Sequence, residues 1–398
     1  MVKFNIIQIT EKLPPSLHGI GDYAFKIACN IKNKYDINSF FIVFDDCNKD
    51  TDQNDDNNIC NIYSLQKLDS NLSDTLIQVL QKLNNSKNIV ILHYDKGFYD
   101  TYIDKEGFEK YYFTKHLRKF INLFNKNKDD GTKLIIVFHE FFPPIVERRR
   151  DYILRPIQNF LMKKVIKSAD AAICSNPVVE RQLKSLVPSL KIFTYPVFSN
   201  ICEPTNLASK QENSWVIFGS TDNLKKTLHK FIEQIPILKS KLSIDTVNII
   251  GGKFDPYILN LVNKLKADVP IVNYLPGISN QEASYIFSIS RFCYMYYFTR
   301  NLLADSSLIF KSGVFATACS HGTIPVFGNP GMEYAIGVFN HPGFVFIKDD
   351  KFSSSNADQL LDVYDIAFKV FRWYQEYAHS SRATDIFFSV MENILKDS

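Results

Sequence analysis

The chain has 398 residues, with 46 basic and 42 acidic side chains and a formal net charge of +4. Hydrophobic residues make up 45% and charged residues 22%, which is ordinary globular usage and excludes fibrous and wholly disordered classes. Charges this evenly balanced give no reason to expect a nucleic-acid partner. The length suits two domains, each large enough to bury its own core.

The cysteine usage favours reduced thiols. The seven cysteines are an odd number and none stands in a Cys-x-x-Cys pair, so neither disulfide bonds nor a metal site is expected. The N-terminal segment MVKFNIIQITEKLPP lacks a signal-peptide cleavage pattern, and no apolar run is long enough to cross a bilayer. We therefore expect a cytoplasmic protein, with peripheral contact at the inner face of the membrane as an alternative.

Short runs rich in Ile, Val and Phe alternate with helix-length amphipathic segments, which is typical of a parallel sheet with helices on both faces. In the first half, strands are predicted at 4–10, 38–44, 88–93, 133–139, 170–174 and 191–195. Helices are predicted between them at about 21–33, 73–84, 106–126, 152–168 and 177–186. The first half therefore reads as one doubly wound α/β domain.

The same alternation starts again after a stretch with two prolines and little periodicity, which we interpret as a linker. The second set of strands is predicted at 215–220, 245–252, 269–274, 291–297, 323–328 and 343–347. The last forty or so residues read as a helix broken near His379, which could return to the first domain. The predicted organisation is a first domain at 1–198, a linker at 199–213, a second domain at 214–378 and a returning helix at 379–398.

A glycine pair follows the first predicted strand, in PPSLHGIGDYAFKIA (14–28). Gly19, Ile20 and Gly21 stand where a helix begins, and glycine lets a ligand approach the backbone there. The segment is a candidate floor for phosphate. The alternative is a tight strand-to-helix turn, because the spacing is not the Gly-x-Gly-x-x-Gly of a dinucleotide fold.

An ionisable pair, His139 and Glu140, ends a predicted strand in VFHEFFPP (137–144). Ligands of open parallel sheets bind at this edge, so His139 is a candidate to bond a sugar hydroxyl or to act as an acid or base. The alternative is a histidine satisfied by neighbouring backbone. His93, Tyr94 and Phe141 are candidates for the wall of a ligand site beside this pair.

Two further clusters lie in the second half. Lys311, Ser312 and Gly313 stand at a predicted helix start and offer a charge, a capping hydroxyl and an approachable backbone to a diphosphate. In FGSTDNLKKTL (218–228), two lysines in a first helical turn oppose the helix dipole unless an anion joins them. The alternative for both clusters is solvated surface charge. The complete set of predicted donor-binding residues in this half is Gly219, Ser220, Lys225, Lys226, Leu275, Arg300, Lys311, Ser312, Gly313 and Thr317.

With these residues placed, the chain resembles bacterial glycosyltransferases of the GT-B architecture, similar to family 4. The resemblance spans nearly the full length and depends on HGIGDYA (18–24), VFHEF (137–141), FGSTDNLKK (218–226) and KSGVFATACSHGTIPVF (311–327) in the expected order. It implies two Rossmann-like domains facing each other across a cleft. The segment RWYQEYA (372–378) resembles the part that crosses back to the first domain.

The chain departs from the family pattern at three positions. Ser220 stands where the family has an arginine, and Ile309 and Thr317 stand where it has two glutamates. These departures remove the basis for carrying over the ribose contact and the identity of the donor.

The resemblance implies transfer of a sugar from a UDP- or GDP-linked donor to a hydroxyl of a glycan, lipid-linked or small-molecule acceptor. It also implies retention at the anomeric carbon, with the nucleotide sugar as co-substrate and no cofactor or metal. His139 and Glu140 would then be the catalytic pair, with His139 orienting the sugar. His93, Tyr94 and Phe141 would line the acceptor site, and the candidate ligand-binding residues of the second half would hold the donor.

Other functions stay open at this point. They are a catalytically silent sugar-nucleotide-binding protein, a GT-B epimerase or phosphorylase, and a nicotinamide oxidoreductase. The last is disfavoured because no glycine fingerprint and acidic residue follow the first strand. The basic stretch FFPPIVERRR (141–150), with Lys163, Lys164 and Lys167, suggests an anionic lipid contact, against an ordinary charged helix face as the alternative.

Overall fold

The computed structural model describes residues 4–14, 19–43, 60–64, 72–83, 87–94, 121–122, 124–125, 131–141, 149–296, 305–329, 332–335, 337–343, 345–348, 351–354 and 363–396. The chain divides into two compact units. The first is Met1–Tyr195 with Ser380–Ser398, and the second is Pro196–His379. Within the described part of the chain, no helix is both long enough and apolar enough to span a membrane.

The first unit alternates strands and helices along the chain. Its strands are β1 (Phe4–Thr10), β2 (Ser39–Val43), β3 (Cys60–Ser64), β4 (Lys87–Tyr94), β5 (Thr132–Phe138), β6 (Ala171–Cys174) and β7 (Ile192–Thr194). The helices described for it are α1 (Gly19–Tyr35), α2 (Leu72–Lys82), α3 (Arg149–Ser168), α4 (Pro177–Leu186) and, from the C-terminus, α10 (Ser380–Lys396).

The seven strands of the first unit form one parallel sheet in the order β3-β2-β1-β4-β5-β6-β7. The inner strands are buried on both faces, which explains their continuous apolar runs. Leu134 and Ile136 of β5, for example, share one buried cluster with Met162 and Ile166 of α3. The chain order reverses between β1 and β4, so this pair is the topological switch point of the sheet.

The second unit repeats this architecture. Its strands are β8 (Ser214–Phe218), β9 (Thr246–Ile250), β10 (Ile271–Leu275), β11 (Phe292–Met295), β12 (Ile324–Phe327), β13 (Val345–Lys348) and β14 (Lys351–Ser354). Its described α-helices are α5 (Thr221–Lys239), α6 (Pro256–Leu265), α7 (Asn280–Ile289), α8 (Gly313–Ser320) and α9 (Val363–Trp373). A 3₁₀ segment, Ser306–Lys311, precedes α8.

The second sheet has the order β10-β9-β8-β11-β12-β13-β14, and its topological switch point lies between β8 and β11. Its strands are parallel except β14, which pairs antiparallel with β13 at the sheet edge. Trp215 is fully buried at the start of β8, where its ring packs against Phe231 and Phe292. The prediction of two doubly wound parallel sheets is confirmed.

The C-terminal segment is a broken helix. After α9, residues Tyr374–Ala378 form a π-helical turn, His379 is extended, and α10 begins at Ser380. Helix α10 packs on α1 of the first unit, where the rings of Tyr35 and Phe388 stack with centroids 3.7 Å apart. Tyr35 also donates a hydrogen bond of 2.7 Å to Asp385. The predicted return of the C-terminal helix to the first domain is confirmed.

Candidate functional site

His139 lies beside the switch point of the first sheet. Strand β5 ends at Phe138, and the next backbone N–H, that of His139, donates to the carbonyl of Tyr94 at 3.0 Å. Strand β4 therefore ends directly beside His139. This is the edge of a parallel sheet at which ligands are expected.

The imidazole of His139 is the outer end of a series of hydrogen bonds between buried side chains. Its Nε2 lies 3.0 Å from Nδ1 of His93, and Nε2 of His93 lies 2.8 Å from Oε1 of Gln8. The amide of Gln8 in turn donates to Oγ of Ser39 at 3.2 Å. Burial, followed by the nearby His139, holds the pKa of His93 well below its usual range, so His93 is neutral.

Tyr23 of α1 covers the same imidazole. Its ring meets that of His139 edge-on, with centroids 4.9 Å apart, and its hydroxyl bonds that of Tyr195. The preceding residue, Asp22, is half-buried in the first turn of α1, and burial raises its pKa to about 6. Neither Gln8 nor Asp22 was among the predicted site residues, although Gln8 is the one polar side chain inside the apolar run of β1.

The predicted acceptor wall is only partly at the surface. Phe141 is half-buried, with its ring edge-on to Phe138, while Glu140, which was predicted to be catalytic with His139, is exposed. His93 and Tyr94, by contrast, are 2% and 4% exposed. Both side chains therefore lie in the interior of the first unit, and their contact with an acceptor stays a prediction.

The glycine pair at the start of α1 has a packing explanation. A Cβ atom on Gly21 would lie 2.1 Å from the carbonyl oxygen of Lys12, so the close approach of α1 to the preceding loop requires glycine there. Gly19 is exposed at the first residue of the helix, and Ile20 is half-buried. Gly21 therefore gives no separate indication of a ligand.

In the second unit, three strand-to-helix turns bond to one another. Gly251 and Gly252 after β9 have φ of 90° and 61°, and a side chain on either would clash with the turn that follows β8. Thr221 Oγ1 accepts from the N–H of Lys253 at 2.9 Å, and Gly277 donates to the carbonyl of Gly252 at 3.0 Å. The turn after β8, with Gly219 and Ser220, is thereby fixed at the carboxyl edge of the sheet.

The two lysines of α5 differ in their surroundings. Nζ of Lys225 lies 2.7 Å from Oδ2 of Asp255, and that hydrogen bond raises the pKa of Lys225. The sequence analysis predicted an anion beside the lysines of this first helical turn. For Lys225 that anion is the carboxylate of Asp255. Lys226 is exposed and, in the described part of the chain, has no carboxylate partner.

The predicted cluster at Lys311, Ser312 and Gly313 lies at the start of α8. Ser312 caps the helix by accepting from the N–H of Phe315 at 3.2 Å, and Lys311 ends the 3₁₀ segment just before it. Gly313 has no positive φ, and an added Cβ would come no closer than 4.0 Å to its nearest neighbour, Asn200. Neither backbone conformation nor packing requires a glycine at this position.

Three other predicted donor residues have different placements. Thr317 is 1% exposed, and its hydroxyl lies 2.9 Å from Oγ of Ser199. That bond holds the side chain in the interior of the second unit, and the contact of Thr317 with a donor stays a prediction. Leu275 is 37% exposed at the end of β10. Arg300 lies outside the described residues.

Asn329 is a candidate that the sequence analysis missed. It follows β12 and Gly328, is 1% exposed, and neither of its amide atoms has a hydrogen-bond partner in the described part of the chain. Buried amides normally have partners, so an unsatisfied one at the carboxyl edge of a parallel sheet indicates a ligand contact. Among the described residues, no group of three or more His, Cys, Asp or Glu side chains could hold a metal ion.

No protein-family model matches this chain, and no curated protein matches its sequence. Solved structures do match its fold. The N-terminal domain of Candida albicans trehalose-6-phosphate phosphatase aligns with a TM-score of 0.60 at 7% identity, covering 98% of this chain and 96% of that one. The catalytic domain of Arabidopsis thaliana starch synthase IV, bound to ADP and acarbose, aligns with a TM-score of 0.58 at 9% identity, covering 98% and 99%.

A third similar structure is the one from E. coli described as trehalose-6-phosphate bound with UDP-2-fluoro glucose. It aligns with a TM-score of 0.54 at 9% identity, covering 98% of this chain and 99% of that one. At these identities the likeness concerns the fold alone. The chain has the GT-B fold of glycosyltransferase-like structures, and the predicted fold class is confirmed.

Proposed function

We propose that this protein is a glycosyltransferase that moves a sugar from a UDP- or GDP-linked donor to an acceptor hydroxyl, in the synthesis of a glycan or glycoconjugate. The donor diphosphate is assigned to the second unit and the acceptor to the first. Similarity of the motifs to glycosyltransferase family 4 supports this proposal, as do the solved structures of the same fold that hold ADP or a UDP-sugar.

Gly313 is the observation that carries the proposal. A glycine that neither φ nor packing requires leaves open space against the first turn of α8. The first-turn amides of a helix have no intrahelical acceptors and lie at the positive end of its dipole, so they suit a phosphate group. Lys311 adds a cation two residues earlier.

Stabilisation of the leaving diphosphate is the main chemical task of this site. Negative charge builds up on the diphosphate as the sugar–oxygen bond breaks, and fixed donors at that place lower the barrier. We assign this role to Lys311, to the backbone at Ser312 and Gly313, and to Lys226. The turn at Gly219 and Ser220 contributes backbone groups that face the diphosphate. Leu275 and Asn329 contact other parts of the nucleotide or sugar.

His139 is assigned to the sugar. A neutral imidazole can bond a sugar hydroxyl and so orient the anomeric carbon. Exposed Glu140 and half-buried Phe141 follow it and are candidate contacts for a glycan, lipid-linked or small-molecule acceptor. Similarity to family 4 supports retention of anomeric configuration without a metal.

A second candidate is a catalytically silent sugar-nucleotide-binding protein of the same fold. It is favoured because this chain lacks the two glutamates of glycosyltransferase family 4. Ile309 is fully buried, and Thr317 is bonded to Ser199, so neither replaces the missing carboxylates. This candidate predicts nucleotide binding without turnover.

The experiment is a thermal-shift panel of UDP, GDP, ADP and their sugar conjugates. A ligand that binds only the folded state raises the unfolding midpoint. We expect one base class to stabilise the wild type and the control Lys266→Ala, in which an exposed lysine at the end of α6 is removed, and to stabilise Lys311→Ala less. No shift with any nucleotide at millimolar concentration would contradict the proposal.

Turnover then separates the two candidates. The stabilising sugar nucleotide is incubated with the wild type and a panel of acceptors, and released nucleoside diphosphate is measured. Release that depends on acceptor supports a transferase. Binding with no release and no change in the sugar supports the silent protein, whereas recovery of a free epimer would indicate an epimerase.

We also propose peripheral contact with an anionic lipid surface through α3. Tyr152 and Phe160, two turns apart, are 70% and 59% exposed, and Lys164 lies over the ring of Phe160. Exposed aromatic and basic side chains on one helix suit an interface with acidic headgroups. Cosedimentation with anionic vesicles should fall in Phe160→Ser but not in Tyr285→Ser, and equal cosedimentation of both variants would exclude this surface.

A further inference from the structure

Gln8 is an anomaly in the core of the first unit. It is fully buried in β1, next to the switch point, and most of the strand around it is apolar. A buried amide is costly unless it is hydrogen-bonded, and an apolar residue would suit this position better on packing grounds. Both ends of this amide are engaged, one with Ser39 and the other with His93.

The direction of the hydrogen bonds follows from the chemistry of each group. Oε1 of Gln8 can only accept, so the hydrogen on its bond to His93 belongs to Nε2 of His93. His93 is neutral and carries a single ring hydrogen. Its Nδ1 must therefore accept, and the hydrogen on the bond of 3.0 Å between the two rings belongs to Nε2 of His139.

We propose that Gln8 and His93 are positioning residues that hold His139 in its Nε2–H tautomer. Whenever the His139 ring is neutral, its lone pair then lies on Nδ1, which is the nitrogen able to accept a hydrogen bond. The edge-on contact with Tyr23 fixes the plane of the same ring. Only the role of His139 toward a sugar rests on the proposed function, because the tautomer follows from the fold.

The orientation of the Gln8 amide decides the direction of both hydrogen bonds, the one with His93 and the one between His93 and His139. Turning it by half a rotation would place Nε2 against His93 and reverse both imidazoles, leaving the hydrogen of His139 on Nδ1. The two directions put different nitrogens of His139 in the accepting role. A measurement that identifies the protonated ring nitrogen therefore tests the proposal directly.

The experiment is long-range ¹H–¹⁵N correlation on protein labelled with ring-¹⁵N histidine. Signals of His139 are assigned by their loss in His139→Asn. In the wild type we expect the Nε2–H pattern for His139, and in Gln8→Leu a mixture of tautomers, because His93 loses its acceptor. The matched control Gln234→Leu removes a buried amide of the second unit and should leave His139 unchanged.

An Nδ1–H pattern for His139 in the wild type would overturn the proposal, as would an unchanged pattern in Gln8→Leu. If Gln8→Leu does not fold, the wild-type spectrum decides alone. The outcome is independent of the proposed function, since a protein that binds no nucleotide can still show the Nε2–H pattern. If transfer is observed, Gln8→Leu should lose roughly tenfold or more in turnover while keeping its nucleotide thermal shift.

Discussion

Nζ of Lys225 lies 2.7 Å from Oδ2 of Asp255, while Oδ1 of the same carboxylate caps α6 by accepting from the N–H groups of Tyr257 and Ile258. One carboxylate thus neutralises the charge of a lysine at the start of α5 and accepts hydrogen bonds from the first N–H groups of α6. The ion pair explains a lysine beside the positive end of a helix without a phosphate. It also divides the two lysines of α5 into a structural one and a candidate ligand contact.

Asp255→Ala should lower the unfolding midpoint by roughly 2–4 °C, because it removes a helix cap and leaves Lys225 without its partner. Asp255→Asn keeps a capping oxygen and should lose less. Thermal unfolding followed by circular dichroism measures both variants. A midpoint equal to wild type in Asp255→Ala would show that the cap contributes nothing.

Lys226→Ala should weaken binding of the stabilising nucleotide about three- to tenfold, since a charge-assisted contact to phosphate is lost. Lys225→Ala should have a smaller effect, because Asp255 already occupies that ammonium group. Titration calorimetry on the two variants compares neighbouring lysines of one helical turn. A larger loss in Lys225→Ala would reverse our assignment.

Asp22→Asn should stabilise the protein at pH 8 by about 1 kcal/mol, after allowance for partial exposure, and by much less at pH 4, near the lower end of its titration range. Burial raises the pKa of Asp22 from 3.8 to about 6, so the folded state holds a proton that the unfolded state has lost between these values. Wild-type stability accordingly falls as pH rises through that window. Urea unfolding at both pH values tests this, and equal differences at pH 4 and pH 8 would contradict it.

His341→Asn should flatten the acid branch of the stability profile. Burial lowers the pKa of His341 to about 3, while its Nδ1 accepts from the N–H of Gly343. The unfolded state therefore binds the extra proton first, and wild type loses about 1.4 kcal/mol per pH unit as pH falls below 6.5. Asparagine keeps an acceptor for Gly343 without titrating. Parallel profiles for variant and wild type between pH 6 and pH 4 would disprove this account.

The fold was largely readable from sequence because inner strands of a parallel sheet are buried on both faces and therefore appear as continuous apolar runs. The two unpredicted strands lie at sheet edges. Strand β3 (CNIYS) contains Asn61 and Ser64 among its five residues, and β14 (KFSS) has one apolar residue and pairs antiparallel with β13. Neither strand has the continuous apolar run by which the other strands were predicted.

The surroundings of the candidate site residues were less predictable, because they depend on contacts distant in sequence. Ser312 caps α8 as predicted, since capping is local. Lys225 pairs with Asp255, His93 bonds Gln8 and His139, and Thr317 bonds Ser199. Each of these contacts joins segments that local sequence patterns do not connect. Asn329 belongs to no motif that we recognised in the sequence. Only its buried side-chain amide, which has no hydrogen-bond partner in the described part of the chain, identifies it.

The most direct test of the donor site is the affinity of the stabilising nucleotide for Gly313→Ala and Gly313→Val, measured by titration calorimetry. Since the nearest atom to a Cβ at this position is 4.0 Å away, we expect Gly313→Ala to unfold within about 2 °C of wild type. We also expect Gly313→Val to bind nucleotide at least about tenfold more weakly, because its side chain occupies the space assigned to phosphate. Unchanged affinity in Gly313→Val would contradict the placement of the diphosphate at the start of α8.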